Sequence, residues 1–170
     1  MLPTKILKSV VQFLHSNISP KEIAFGFALG AIIGLIPYFT LISFFVFFLI
    51  IILNVNFSAA MFSLALFKII GFITDPIAHK IGYFLLVKVK FLENFWTILY
   101  NMPIVPFTRF YNTVVLGSFI ISIILFLPIV LFVEKFIIFY RKNLAQKVEQ
   151  LKIIKLLKLT SLYEWYNKLK

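Results

Sequence analysis

Hydrophobic and charged positions are segregated into long blocks along this chain. After Glu22 no charged residue occurs before Lys68, and a second uncharged run lies between Arg109 and Glu134. A helix as long as this second run spans about 36 Å, whereas the hydrocarbon core of a bilayer is about 30 Å thick. The pattern therefore predicts helices that cross a membrane, and residues 110–133 predict one long crossing, kinked at Pro128.

The first uncharged run is divided into two short segments. Ser19 and Pro20, with Glu22 three residues after the serine, are typical of a capped helix start. This helix is predicted to end at Pro37, and a second apolar segment covers 40–53. Each segment is shorter than the about 20 residues of a comfortable crossing. Two interpretations stay open: a pair of short crossings, or a re-entrant helical hairpin that turns at Pro37.

The middle of the chain is less uniform. A third apolar segment covers 57–74, and Asp75 followed by Pro76 predicts a new helix start, with the aspartate as its cap. The stretch 77–100 mixes apolar and charged residues and predicts an amphipathic segment, which does not cross the membrane. Two prolines within 102–106 predict a loop, because neither can donate a backbone hydrogen bond.

Both ends of the chain are basic. Residues 1–18 predict an amphipathic helix lying in the membrane interface, and 135–170 predict a tail helix that holds nine of the 17 Lys and Arg residues. Because cytoplasmic segments are enriched in Lys and Arg, both termini are predicted to be cytoplasmic, whereas the sidedness of 75–109 stays open. Between the termini we distinguish a Gly- and Pro-interrupted helical core, 19–107, from a transmembrane helix, 108–134.

Composition narrows the class of protein further. Of the 170 residues, 62% are hydrophobic and none is cysteine. These values exclude a disordered chain and a disulfide scaffold, and a soluble domain this apolar would expose large sticky patches. We therefore expect an all-α integral membrane protein. The net charge of +11 is assigned to sidedness and to anionic lipid at the basic tail. Nucleic acid is not an expected partner, because no known binding module accompanies the charge.

Gly26, Gly30 and Gly34 recur every fourth residue on one face of the first predicted helix. Small residues at this spacing let the backbone of another helix approach closely. They predict helix packing, either within the chain or in a dimer. The alternative interpretation is a mobile or pathway-lining hairpin with Pro37 at its turn.

Lys68, Asp75 and His79 are the ionisable residues near a predicted crossing that could act together. Because a charge inside a crossing is costly, such residues usually face a bundle interior or a cavity, and the three form a candidate polar site. The alternative is structural: Asp75 caps a helix, Lys68 extends to the interface, and His79 only hydrogen-bonds Asp75.

Chemistry beyond this candidate site has little support. The chain has no cysteine nucleophile, no zinc-ligand spacing and no phosphate-binding glycine loop, so no catalytic residue, metal or cofactor is predicted. We expect a non-enzymatic accessory or structural component that contacts the lipid bilayer and another membrane protein or a second copy of itself. The alternative is a small transporter, or a protein that translocates lipids or solutes through re-entrant helices.

Residues 19–92 resemble a family of uncharacterised bacterial membrane proteins, known as domain of unknown function twenty sixty-two. The resemblance rests on the order and spacing of Ser19, Pro20, Ile23, Ala24, Gly26, Ala28, Gly30, Gly34 and Pro37. Asp75-Pro76 is similar to an Asn-Pro step of the family. The chain departs from the family in that aspartate, and in residues 38–40, where proline, glycine and glutamine are common. The resemblance implies a helical protein of the bacterial inner membrane, without an assigned activity.

Overall fold

The structure is a computed structural model, and it describes residues 18–144. Within this range the chain is helical and contains no strand, which confirms the predicted all-α fold. Turns, π-helical turns and 3-10 turns connect five α-helices. These are α1 (Pro20–Leu35), α2 (Leu41–Ile52), α3 (Phe57–Tyr83), α4 (Glu93–Tyr100) and α5 (Thr113–Phe139).

Short polar side chains begin three of these helices. The Thr40 hydroxyl accepts a hydrogen bond from the Ser43 N–H at 3.3 Å, and the Asn56 side-chain oxygen accepts one from the Ala59 N–H at 2.7 Å. Asn112 caps α5 in the same way. Each cap satisfies an N–H group that has no partner within the helix, and so fixes where α2, α3 and α5 start.

Helices α1, α3 and α5 pack against one another and form the core. Helix α1 is the central element, because almost every residue from 23 to 35 is buried. One cluster of the core combines small and branched side chains of all three helices: Ile23, Ala24, Ala28, Ala59, Val130, Val133 and Ile137. An apolar helix of 16 residues is thereby enclosed by two longer ones.

The contacts between helices define their directions. Gly26 lies beside Asn56 and Gly34 lies beside Leu64, so α1 and α3 run parallel. Helix α2, which connects α1 to α3 along the chain, runs back toward the start of α1. The Asn56 N–H, just before α3, donates to the Glu22 carbonyl oxygen at 3.2 Å. Helices α1 and α2 therefore form a hairpin, which begins and ends at the same end of the core. Helix α5 runs antiparallel to α3.

Two helical stretches are long and apolar enough to cross a membrane, Phe57–Lys88 and Thr113–Asn143. The first contains α3 and the π-helical turn that follows it, Phe84–Lys88. The second contains α5 and all but the last residue of the π-helical turn Tyr140–Leu144. Only 22% and 33% of the residues in their most apolar parts are buried inside the protein. The remaining apolar surface favours association with a membrane, which supplies apolar surroundings.

Two predicted helix starts differ from the structure. Helix α1 begins with Pro20 at its first turn, but the Ser19 side chain makes no capping hydrogen bond. The predicted start at Asp75 and Pro76 is wrong, because α3 continues through both residues to Tyr83. A helix can tolerate an internal proline when packing on neighbouring helices compensates for the lost hydrogen bond, and α3 packs on α5 beyond this position.

The segment between α3 and α5 lies mostly at the surface. After α3 come the π-helical turn, a 3-10 turn at Lys90–Leu92 and then α4. The predicted loop at 102–106 consists of bends and the start of a second 3-10 turn, Val105–Thr108. Helix α5 contains the proline at which a kink was predicted, Pro128. The predicted interfacial helix and most of the basic tail lie outside the described residues.

Candidate functional site

Three glycines bring α1 against the backbone of α3. A carbon added at Gly26 would lie 2.6 Å from the Asn56 carbonyl oxygen, and one added at Gly34 would lie 2.7 Å from the Leu64 carbonyl oxygen. At Gly30 an added carbon would collide with backbone atoms of α3. Because the whole glycine face is occupied within the chain, it is not available for a second copy of the protein.

This close packing places the turn of the hairpin, residues 36–40, beside the middle of α3. Gly71 of α3 lies next to the Gly34 and Leu35 carbonyl oxygens at the end of α1. Helix α3 then continues to Tyr83, which at about 1.5 Å per residue is about 18 Å farther. The hairpin therefore turns well before α3 ends.

Lys68 extends from α3 to this turn. Its ammonium group donates hydrogen bonds to the Ile36 carbonyl oxygen at 2.7 Å and to the Pro37 carbonyl oxygen at 2.9 Å. The last carbonyl groups of a helix have no partner within it, so Lys68 supplies donors where α1 ends. Lys68 thus extends to the hairpin turn, and its extension to the membrane interface stays a prediction.

Asp75 lies two turns farther along α3, on the same side. Its Oδ1 atom is buried and makes no hydrogen bond, and among the described residues no ion pair joins it to Lys68. Both side chains line a cavity of about 30 Å³ that also contacts Gly34, Pro37 and Gly71. A cavity of this size can hold one water molecule, which would have Asp75 and Lys68 as polar neighbours.

His79 does not join this pair. Its Nδ1 atom lies 2.7 Å from the Thr113 hydroxyl at the start of α5, and its ring lies beside the Tyr83 ring. The predicted hydrogen bond from His79 to Asp75 is therefore wrong. The three candidate polar residues separate into Lys68 and Asp75 at the hairpin turn, and His79 at the junction of α3 and α5.

Sequence reasoning missed a second close contact between helices, between α3 and α5. A carbon added at Gly82 would collide with the Thr113 backbone, and one added at Gly117 would collide with the Ala78 backbone. Neither glycine belongs to a periodic motif. A signal was present, however, because an isolated glycine in an apolar helix costs stability and usually has a packing reason.

The part of the chain that the structure describes contains no group of three or more His, Cys, Asp or Glu side chains that could hold a metal ion. The chemistry available at the hairpin turn is therefore that of one ammonium group, one carboxyl group and backbone carbonyl oxygens. Such a set can hold a turn in place, bind water or accept a proton.

Comparisons with known proteins add relatives but no activity. The sequence model of a family described as uncharacterized protein conserved in bacteria matches residues 5–146. An uncharacterized protein of Treponema pallidum (strain Nichols) is 26% identical over 144 residues, which cover 85% of this chain and 88% of that protein. No solved structure matches the chain.

Proposed function

The chain belongs to the family of uncharacterized proteins conserved in bacteria, DUF2062, and from this premise we propose that it is a non-enzymatic accessory component of the bacterial inner membrane. Its helices α3 and α5 cross the bilayer, and its α1–α2 hairpin is re-entrant. The observation that carries the proposal is the pair of hydrogen bonds from Lys68 to the hairpin turn.

Lengths favour a re-entrant hairpin over two further crossings. At about 1.5 Å per residue, α1 is about 24 Å long and α2 is about 18 Å long, whereas the hydrocarbon core measures about 30 Å. Helix α3 is about 40 Å long by the same measure. The hairpin enters and leaves at the Asn56 end of α3 and turns beside Gly71, within the span of that helix.

A turn inside the bilayer needs hydrogen-bond donors, because no water is available there for exposed carbonyl groups. Lys68 supplies them from a neighbouring helix, 32 and 31 residues away along the chain. The lysine in turn gains two acceptors, which offset the free-energy cost of an ammonium group within a crossing helix. The two hydrogen bonds of Lys68 thus stabilise a re-entrant turn. This role of Lys68 favours a structural function of the protein over a catalytic one.

The positions of the two ends of the described chain support placing both termini on the same side of the membrane. The Arg141 guanidinium donates to the Ile18 carbonyl oxygen at 2.8 Å, so the two ends of the described chain meet. Two crossings bring the chain back to the side from which it started. The basic residues that follow Glu134 favour the cytoplasm for that side.

The outer surface supports contacts with lipid and with membrane proteins. Two apolar grooves, of about 610 and 720 Å³, lie on opposite sides of α1. Large side chains point outward from α2, among them Phe44, Phe45, Phe48, Ile51 and Ile52. We propose that this surface faces the bilayer and a partner membrane protein or a second copy of the chain. Anionic lipid is the proposed partner of the basic tail, and nucleic acid is not a proposed partner.

Cysteine accessibility tests the topology, because the chain contains no native cysteine. Single cysteines at Asn54 and Met102 should react with a membrane-impermeant maleimide from opposite sides, with Asn54 on the cytoplasmic side. A cysteine at Tyr38, in the hairpin turn, should be protected from the side that labels Met102. Equal labelling of Tyr38 and Met102 from that side would show two full crossings and contradict the proposal.

The accessory role is tested by site-specific photo-cross-linking in cells. A cross-linker at Phe48, which is 52% exposed, should form one discrete protein adduct, and a cross-linker at the buried neighbour Val46 should form none. Lipid adducts alone at Phe48, Phe45 and Ile51 would count against an accessory role.

One observation favours a second candidate function, translocation of a solute or lipid. The Asp75 Oδ1 atom is buried without a hydrogen bond beside the small cavity at the hairpin turn, as in sites that exchange a proton or a polar group. Flux measured in proteoliposomes should then fall at least tenfold in Asp75→Asn and stay unchanged in Glu22→Gln. Absence of flux in the unmodified protein would count against this candidate.

A further inference from the structure

A pocket of about 300 Å³ lies in the segment between α3 and α5, at the end of α3 opposite the base of the hairpin. Trp96 and Tyr100 of α4 form one side, and Phe110 and Tyr111, which precede α5, form the other. Glu93, the first residue of α4, also lines this pocket.

The aromatic rings of this pocket contact one another directly. Trp96 stacks on Phe110 with ring centroids 5.8 Å apart, and Tyr100 meets Tyr111 edge to face with centroids 5.5 Å apart. Phe110 and Tyr111 also pack edge to face, at 6.0 Å. Residues from two parts of the chain thus form one continuous aromatic box.

The backbone holds both sides of the box in place. The Trp96 indole N–H donates to the Leu85 carbonyl oxygen at 3.0 Å, which fixes α4 against the end of the preceding helix. Arg109 adopts a left-handed conformation with φ of 56°, which is strained for a residue with a side chain. This turn directs Phe110 into the protein, where only 7% of its surface is exposed. Strain of this kind persists where the surrounding structure enforces it, often at ligand sites.

The chemistry of the lining selects for a cation. Aromatic faces carry partial negative charge and attract cations within about 6 Å of the ring centroid. Among the described residues, no basic side chain lines the pocket. Nearby cations are used elsewhere, because Lys88 lies over the Tyr83 ring and Arg109 over the Tyr38 ring.

We propose that this aromatic box binds an organic ammonium group, with Glu93 as its counter-ion. The volume of about 300 Å³ admits a trimethylammonium or primary ammonium headgroup. The ammonium group comes either from a free organic cation or from the headgroup of a zwitterionic phospholipid. Helix α4 exposes apolar side chains such as Phe95 and Ile98, as a helix at a membrane surface does, so a headgroup would be within reach. The inference does not depend on the re-entrant hairpin.

Tryptophan fluorescence of the full chain tests the proposal. The chain contains two tryptophans, so Trp165→Phe leaves Trp96 as the single reporter. In a maltoside detergent, tetramethylammonium chloride should change Trp96 emission saturably. Sodium chloride and the neutral isostere 3,3-dimethylbutan-1-ol should not. Equal saturation by the neutral isostere, or no saturable change with any probe, would overturn the proposal.

Paired variants separate the charge of Glu93 from a general effect on folding. In the Trp165→Phe background, Glu93→Gln should weaken tetramethylammonium binding at least about fivefold. The matched variant Glu22→Gln, at the opposite end of the core, should bind like the parent. Unchanged affinity in Glu93→Gln would overturn the role of Glu93 and with it the proposal.

Nanodiscs distinguish the two sources of the ammonium group. If a lipid headgroup is the ligand, Trp96 emission should differ between phosphatidylcholine and phosphatidylglycerol nanodiscs, and phosphatidylcholine should abolish the response to tetramethylammonium. If a free cation is the ligand, both lipids should leave that response intact. Either result supports an ammonium site.

Discussion

Helices α1 and α2 are adjacent apolar segments of one hairpin, and they meet opposite surroundings. Helix α1 is buried along almost its whole length, whereas α2 buries only Ser43, Val46 and Ile50. Both helices lack charged residues after Glu22, so charge does not distinguish them. Side-chain size does, because α1 is rich in glycine and alanine and α2 is rich in phenylalanine and isoleucine.

Side-chain size decides which of these two helices is buried. When the surroundings are as apolar as the core, burying a large apolar side chain yields little, and close backbone approach yields more. Small residues therefore lie between helices, and large ones point outward. The same rule explains why Gly82 and Gly117 lie at the contact between α3 and α5.

Gly30→Leu should have the largest effect on stability, because it places a large side chain where α1 packs against the backbone of α3. A single added carbon already collides with the Ala60 backbone. We expect a loss of about 3 kcal/mol or more in the free energy of unfolding, measured by denaturant titration in detergent micelles. The control, Ala65→Leu, places the same side chain at an exposed position of α3 and should change stability by less than about 0.5 kcal/mol. Equal stability of the two variants would contradict the packing described for α1.

Lys68→Met should have the next largest effect, because it leaves two carbonyl groups of the turn without a donor. We expect a loss of about 2 kcal/mol or more in the free energy of unfolding. Lys80→Met removes an exposed lysine from the same helix and should be nearly neutral. Denaturant titration in micelles compares the two variants. If Lys68→Met left the free energy of unfolding unchanged, Lys68 could not be assigned a role in holding the turn.

Gly117→Ala tests whether size also governs the contact between α3 and α5. The added carbon would collide with Ala78, so we expect a loss of about 1–3 kcal/mol. Gly71→Ala makes the same change where the nearest atom would lie 3.4 Å away, at ordinary contact distance. Its melting temperature should be unchanged or slightly higher. Similar melting temperatures for both variants would show that close approach does not limit this contact.

The smallest effect is expected on the outer face of α2. Phe48→Leu should change the free energy of unfolding by less than about 0.5 kcal/mol, because the side chain is 52% exposed. Ile50→Val, on the buried face of the same helix, should cost about 1 kcal/mol. A larger loss for Phe48→Leu would mean that another protein surface covers α2.

Local patterns predicted the helices whose boundaries depend on local chemistry. Pro20 starts α1, Pro37 lies just beyond its end, and the spaced glycines mark its packed face. The boundary predicted at Asp75 and Pro76 failed because contacts with α5 support one continuous helix. Packing against a distant segment outweighed a local signal there.

In the candidate site, too, local sequence predicted some features and distant contacts decided others. Lys68 and Asp75 were identified as unusual because each is an ionisable residue in or beside an apolar segment. Their partners could not be identified, since the hydrogen bonds of Lys68 reach residues about thirty positions away. Likewise, Trp96 and Phe110 face each other only because the chain turns at Arg109.

The sequence by itself determined that this protein is helical, that it contains segments apolar enough to cross a membrane, and which helix presents a face of small residues. These properties depend on composition and on spacing within one helix, which neighbouring residues specify. Only the tertiary structure decided that Lys68 holds the hairpin turn, that His79 joins α5 and that four aromatic rings form one box. Those contacts depend on how distant segments align, and that alignment follows from packing of the whole core.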